Sequence, residues 1–120
     1  MNKIANIKSE RTFGIEIEFV MSNGVNRQTI ADAILRDRKC RNAGVDTEVR
    51  ERRRDREFVI WELSTDSTCG GEMVSPILQG KNGMKQAKAI LDLMDRMDGV
   101  DVNVDCGIHV HVGLVKDGEL

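Results

Sequence analysis

The stretch FGIEIEFV, residues 13–20, decides the fold that this sequence can adopt. Successive side chains of a β-strand point to opposite faces, so Ile15 and Ile17 share one face. Glu16 and Glu18 then stand side by side on the other face. Two neighbouring carboxylates repel each other unless water, a cation or a basic partner faces them. The alternation therefore predicts an amphipathic strand whose acidic face needs a partner.

The properties of the whole chain are those of a single domain, residues 1–120. A chain of this length buries roughly two thirds of the surface that its unfolded form exposes. The formal net charge is −2, so a general cationic surface for nucleic acid or an anionic membrane is not expected. No apolar run approaches the ~20 residues of a membrane helix, and the N-terminus lacks the apolar block of a signal peptide. The sequence predicts a cytoplasmic protein that binds neither nucleic acid nor membrane.

The three cysteines, Cys40, Cys69 and Cys106, are odd in number and have no paired spacing. This usage fits a reducing compartment better than a disulfide-stapled secreted fold. Two alternatives use these thiols. Cys69 and Cys106 could hold zinc together with His109 and His111, although the spacing matches no recognised finger or ribbon. Cys106 could also be a nucleophile activated by His109, although no motif places an orienting group.

Hydrophobic periodicity predicts the order β, α, β, β, α, β, β. The predicted elements are a strand at 13–20, a helix ending near 40, strands at 57–63 and 72–78, a helix at 83–99 and strands within 100–104 and 108–114. Pro76 marks the end or an edge of its strand, because proline cannot donate to a ladder. Gly99 is the predicted stop of the second helix. This order predicts an α+β domain with helices on one face of the sheet.

Residues 36–57 form a strongly charged segment, in which 15 of 22 residues are charged and nine are basic. Such a composition cannot supply much core. Residues 44–57 are therefore predicted to form a charged loop. Interleaved acids and the absence of tyrosine argue against RNA binding by this segment.

The second informative stretch is IHVHVGL, residues 108–114, which contains both histidines of the chain. His109 and His111 share one strand face, as the two glutamates of residues 13–20 do. Side chains two apart on a strand lie roughly 7 Å from each other, which suits two neighbouring ions or an ion and a phosphate. Glu72 adds a third carboxylate near a strand start. An E-x-E pattern alone is typical of a solvated sheet face, but the acidic and histidine strands together predict a metal or phosphate site.

Four ordered stretches of the sequence resemble the amidoligase enzymes: RTFGIEIEF, a tryptophan followed by TDST, GEMVSPIL and CGIHVHVG. The resemblance spans about residues 11–113. This family is similar to glutamate–cysteine ligase and glutamine synthetase, which are carboxylate–amine ligases built on a curved, mainly antiparallel sheet. The resemblance implies the N-terminal half of that catalytic fold. Members are usually longer, and their later half supplies further metal ligands and the arginines that hold ATP phosphates.

The activity that the resemblance implies is ATP-dependent amide bond formation. A substrate carboxylate is phosphorylated to an acyl phosphate, and an amine then displaces phosphate. The substrates would be a peptide, a protein or a small molecule. Mg²⁺ or Mn²⁺ would offset the repulsion between the carboxylate and ATP. The residues implied as catalytic and as metal ligands are Glu16, Glu18, Glu72 and His109.

The resemblance also implies binding roles around this metal site. His109, His111 and Arg11 would contact the nucleotide or another anionic group, and Asp66 and Ser67 would bind substrate in a D-x-S-like turn. A sheet with an open edge favours a homo-oligomer that completes the site from a second chain. A binding or regulatory module without catalysis on the same sheet, and a zinc-binding domain, are the alternative functions.

Overall fold

The structure, a computed structural model, describes residues 11–50, 59–65, 69–102 and 106–113. These residues form an α+β domain with one curled, mixed sheet and three helices, which confirms the predicted class. The elements are β1 (Thr12–Met21), α1 (Arg27–Arg36), α2 (Arg38–Asn42), β2 (Thr47–Val49), β3 (Trp61–Ser64), β4 (Gly71–Val74), β5 (Leu78–Gln79), α3 (Gly80–Arg96), β6 (Val100–Asp101) and β7 (Ile108–Val112). None of the helices in these ranges has the length and apolar composition that crossing a membrane requires.

Strand β1 is the centre of the sheet and pairs antiparallel with four other strands. β4 lies along one edge of β1, and β7 lies along the other. β5 and β6 pair with the two ends of β1. β3 and β2 continue the sheet beyond β4, and the β2–β3 pair is parallel. The two strands with the predicted ligands, β1 and β7, are therefore direct neighbours.

The apolar face of β1 lies at the centre of the core. Ile15 and Ile17 are 2% and 1% exposed, and Leu63 and Met73 continue the same row across β3 and β4. All three helices contribute to the same cluster of buried side chains. Their most deeply buried members are Ile30, Ile34, Cys40 and Ile90. Burial of this face is what fixes the register of β1, because a slip of one residue would turn the glutamates into the core.

The first predicted helix is divided in two at Asp37. α1 begins at a capping box, in which Asn26 Oδ1 accepts from the Thr29 N–H at 2.9 Å and Thr29 Oγ1 accepts from the Asn26 N–H at 3.2 Å. Asp37 has an extended backbone (φ −70°, ψ 128°), which ends α1. Its carboxylate accepts from the Cys40 N–H at 3.0 Å and so starts α2.

Helix α3 begins three residues earlier than the sequence predicts, at Gly80, and ends at Arg96. Its first turn packs closely on β5, because a Cβ added at Gly83 would lie 2.9 Å from the Leu78 Cβ. The indole N–H of Trp61 donates to Gln86 Oε1 at 2.9 Å, which links α3 to β3. Gly99 follows the helix with a φ of 87°, which suits its predicted place at the helix end.

The charged segment contributes more to the core than its composition predicts. Cys40, Ala43, Val45 and Thr47 are all buried, and β2 lies inside the range that was predicted to be loop. The reason is their spacing, which places the few small or apolar residues toward the sheet while the charged ones face solvent. Residues 51–57 lie outside the described residues.

A disulfide joins Cys69 and Cys106, and Cys40 is a buried free thiol. The cysteine usage, which fits a reducing compartment better than a disulfide-stapled fold, did not predict this bond. The two cysteines lie 37 residues apart in the sequence, and this spacing alone does not predict that they pair. They come together because β4 and β7 flank β1. Both alternatives that use these sulfurs fail in this form of the protein. Neither a zinc-binding thiolate nor a Cys106 nucleophile is present when the two sulfurs are bonded to each other.

Candidate functional site

The structure places five predicted site residues on one face of the sheet. Glu16 lies opposite His109, and Gly14 lies opposite His111, in the β1–β7 register. On the other edge of β1, Glu18 lies opposite Glu72 of β4. Directly opposed residues of antiparallel strands point to the same face. The acidic strand is therefore flanked by imidazoles on one side and by a third carboxylate on the other.

Two imidazole–carboxylate contacts link the acidic strand to the histidine strand. His109 Nε2 is 3.3 Å from Glu18 Oε1, and His111 Nε2 is 3.5 Å from Glu16 Oε2. The histidine side chains are 55% and 66% exposed, so both imidazoles reach solvent. Exposed pairs of this kind contribute only about 0–1 kcal/mol to folding. A ligand that replaces these contacts would cost the fold little.

The carboxylate oxygens are the kind of donor that Mg²⁺ and Mn²⁺ prefer, and one carboxylate–imidazole pair has a spacing that a single cation could span. Two ligands of one octahedral Mg²⁺ at about 2.1 Å lie about 3 Å apart, which is close to the His109–Glu18 separation of 3.3 Å. In the part of the chain that the structure describes, no group of three or more His, Cys, Asp or Glu side chains is arranged to hold a metal ion. The structure thus brings the donors together as pairs, and the roles of Glu16, Glu18, Glu72 and His109 as metal ligands stay predictions.

A cavity of about 480 Å³ opens at the end of the sheet where the Glu16–His111 pair lies. Its lining includes Gly14, Glu16, Ser75, Pro76, Ile77 and His111. A Cβ added at Gly14 would lie 3.7 Å from Ser75 Oγ, which is ordinary contact. Packing therefore does not require glycine at this position. Glycine inside a strand often marks a close approach by a ligand, and here it leaves the cavity floor open.

One wall of this cavity exists because the chain leaves the sheet between β4 and β5. Ser75 Oγ accepts the Ile15 N–H at 2.9 Å and donates to the Pro76 carbonyl at 2.7 Å. The Ser75 hydroxyl thus takes the place of the backbone carbonyl that would accept the Ile15 N–H in an uninterrupted strand. Ile77 is 63% exposed beside the opening. The strand predicted at 72–78 is for this reason two strands, as expected for a segment with an internal proline.

Two buried polar residues of β3 extend the same polar face and were missed from the sequence. Glu62 is 2% exposed and lies in the row of Val74 and Glu16, while Ser64 lies opposite Glu72. The Glu62 Oε2 atom is 3.7 Å from a guanidinium nitrogen of Arg50, and Oε1 has no hydrogen-bond partner within the described ranges. The signal was present in WELS, residues 61–64, where polar residues occupy every second position.

The remaining predicted binding residues are only partly described. Arg11 donates to the Gly113 carbonyl at 3.2 Å, which places it beside the cavity end of β7. Asp66 and Ser67 lie outside the described residues, so the predicted substrate-binding turn stays a prediction.

A comparison with protein families gives a match over most of the chain. A family model described as "Putative amidoligase enzyme" matches residues 9–118. No curated protein and no solved structure matches the chain. The matched range contains the strands β1, β4 and β7, which form the polar face, and the segment that walls the cavity.

Proposed function

Because the chain belongs to the amidoligase family, we propose that it joins a carboxylate to an amine in an ATP-dependent ligation. The family assignment itself indicates a ligase-type function. The proposal adds the route, in which the carboxylate attacks the γ-phosphate to give an acyl phosphate and the amine then displaces phosphate. It also adds the fold relationship, a curved sheet of the glutamine synthetase and glutamate–cysteine ligase kind.

The observation that carries this proposal is the shared polar face of β4, β1 and β7. A carboxylate that attacks ATP must approach a strongly anionic group, so the site needs positive charge where the phosphates lie. Glu16, Glu18, Glu72 and His109 are the residues that would hold Mg²⁺ or Mn²⁺. The cation would neutralise charge on the transferring phosphate when bound.

The cavity beside Glu16 and His111 supports a nucleotide site next to these donors. Its volume of about 480 Å³ lies within the roughly 300–1,000 Å³ of small-molecule pockets. Apolar groups of Val74, Pro76 and Ile77 line it, which suits the flat face of a purine base. In this arrangement His111, which lines the cavity, and Arg11, which donates to the carbonyl of the lining residue Gly113, would contact the nucleotide.

A binding or regulatory module without catalysis is the second candidate function. The observation that favours it is the absence of a three-donor metal group from the ranges described. Such a module would show no stabilisation by ATP with a divalent cation. A homo-oligomer that completes the site stays a further prediction, and it is compatible with either function.

A thermal-unfolding assay with ATP and Mg²⁺ or Mn²⁺ separates the two functions. A ligand that binds only the native state at 100 times its Kd stabilises by about 2.7 kcal/mol, which is on the order of 10 °C in Tm for a domain of this size. The ligase proposal expects such a rise, and expects the Glu16→Gln variant to lose it. Release of ADP and phosphate should then require both a carboxylate and an amine substrate.

Glu48→Gln is the matched control. Glu48 is an exposed strand glutamate of β2, three strands from β1, so its variant should keep the full metal-dependent rise in Tm. A Tm that ATP and cation leave unchanged would reject the ligase proposal in favour of the binding module. An equal rise in the Glu16→Gln variant would reject the assigned metal ligands.

A further inference from the structure

The Cys69–Cys106 disulfide connects two strands that do not pair with each other. Cys69 comes two residues before β4, and Cys106 comes two residues before β7. β1 lies between these strands, so their usual separation is roughly 9–10 Å, twice the distance between neighbouring strands. The two cysteine Cα atoms are only 6.0 Å apart. The bond therefore holds the two segments that lead into β4 and β7 close together.

This covalent link is located at the acidic end of the polar face. The Gly107 carbonyl, next to Cys106, accepts the Glu18 N–H at 2.9 Å. Glu72 lies three residues after Cys69 and directly opposite Glu18. His109 lies three residues after Cys106 and contacts the Glu18 carboxylate. The disulfide is thus connected by short segments to both residues that flank Glu18.

Strand β7 has few other attachments within the described ranges. All five of its residues are exposed, and β1 is the one described strand that pairs with it. Its apolar side chains Ile108, Val110 and Val112 are 41–49% exposed, so no helix among the described elements covers them. Edge elements with few buried contacts belong to the part of a structure that opens most easily. The position of both histidines therefore depends strongly on the β1 ladder and on the disulfide.

We propose that the Cys69–Cys106 pair is a redox site that regulates the candidate site by holding or releasing the histidine strand. In the disulfide form, β7 is held against Glu18, and the imidazoles stay beside the carboxylates. In the dithiol form, β7 keeps its ladder and its exposed side-chain contacts with β1 but loses the covalent link, and it separates from β1 more often. The metal-binding consequence rests on the proposed function, whereas the effect on β7 itself does not.

The chemistry is thiol–disulfide exchange. Cys106 is partly exposed and Cys69 is buried, so the thiolate of a dithiol reductant attacks the Cys106 sulfur. Cys69 leaves as a thiolate and takes up a proton. The second thiolate of the reductant then attacks the reductant sulfur of this mixed disulfide, so the bond to Cys106 breaks and the reductant leaves as a cyclic disulfide. Cys106 leaves as a thiolate and takes up a proton. Oxidation is the reverse, in which a low-molecular-weight disulfide accepts two electrons from the pair and is released as two thiols.

Cys40 is excluded from this exchange by its environment. Its side chain is fully buried, and burial raises the pKa of the Cys40 thiol to about 12, so little thiolate exists near neutral pH. A Cys40→Ala variant is therefore a matched control that keeps the redox pair and removes the third thiol.

Amide hydrogen exchange of the oxidised and dithiothreitol-reduced protein tests the proposal. We expect β7 amides to exchange at least about tenfold faster after reduction, while amides of β3 and β4 change little. The fluorescence of Trp61, the single tryptophan and fully buried, reports whether the core remains folded. Mn²⁺ affinity should fall about tenfold on reduction, within the range expected when a residue that supports metal ligands is lost.

The controls separate the two proposals. Cys40→Ala should respond to reductant as the wild type does, and Cys106→Ser should behave as the reduced form in both conditions. If Mn²⁺ binds in neither redox state, the proposed function fails, and the exchange of β7 alone decides the redox proposal. Equal β7 protection in the two redox states, with the core folded, would overturn the redox proposal whatever the metal does.

Discussion

Strands β4 and β7 pair with the same strand in the same antiparallel sense, yet they differ completely in burial. Three of the four β4 residues are buried, whereas all five β7 residues are exposed. β3 continues the sheet beyond β4, and no described strand continues it beyond β7. Backbone pairing alone therefore does not bury a strand. The β4 side supplies folding free energy, and the β7 side presents imidazoles at little cost to the fold.

The sharpest test of this difference uses two isoleucines that face each other. Ile17 of β1 is 1% exposed, and its register partner Ile108 of β7 is 49% exposed. Ile17→Ala should lower the free energy of unfolding by about 2–5 kcal/mol, because it leaves a cavity in the core. Ile108→Ala should change it by less than about 1 kcal/mol, since little buried area is lost. Urea denaturation of both variants measures the two changes. Equal costs would mean that β7 is buried in solution and would remove the contrast.

The next largest effect compares two glycines of the sheet. A Cβ at Gly71 of β4 would overlap the Phe19 ring, with Cζ at 2.7 Å and Cδ2 at 2.8 Å, so Gly71→Ala should cost about 1–3 kcal/mol. Gly14, opposite His111 on β1, has room for a Cβ, so Gly14→Ala should keep nearly full stability. Thermal unfolding checks both. The Gly14 variant should instead weaken ATP binding, because its methyl group would enter the cavity.

The smallest expected effect concerns the helices, whose buried side chains belong to the core. Asp37 caps α2 and lies 3.3 Å from Arg96 of α3, and the Cys40 backbone N–H is the main cause that lowers the pKa of its carboxyl. Asp37→Ala should therefore cost about 1 kcal/mol at neutral pH. A lowered folded-state pKa gives stability above the ordinary value of 3.8 that is lost as pH falls through the folded value. The difference in the free energy of unfolding between wild type and variant should therefore shrink in acid, and urea denaturation at a series of pH values measures it.

Much of the polar face could be predicted from the sequence because strand alternation is a local property. FGIEIEFV and IHVHV each fix which side chains share a face, and both are strands in the structure. The strong helical period of residues 83–99 likewise predicted α3, although its first turn, which packs on Leu78, was missed. These features depend on residues only a few positions apart.

The features that could not be predicted depend on distant contacts. The alternation of WELS indicates that Glu62 and Ser64 share a face, but only the β3–β4–β1 register places Glu62 in the row of Glu16. The Cys69–Cys106 bond depends on the pairing of β4 with one edge of β1 and of β7 with the other. β2 was missed because three residues in a charged segment carry no clear alternation, and its parallel pairing with β3 stabilises it instead.

The central position of β1 also affects how the chain is synthesised. β1 is the first described strand, and its partners β4, β5, β6 and β7 all come from residues 71–112. At translation rates of about 5–20 residues per second, roughly 5–20 s separate the emergence of β1 from that of β7. During the first part of this interval, until β4 emerges about 50 residues after β1, none of the described strands that pair with β1 has been synthesised. The nascent chain should therefore be a substrate for chaperones, and it should fold late and slowly, as non-local strand pairing requires.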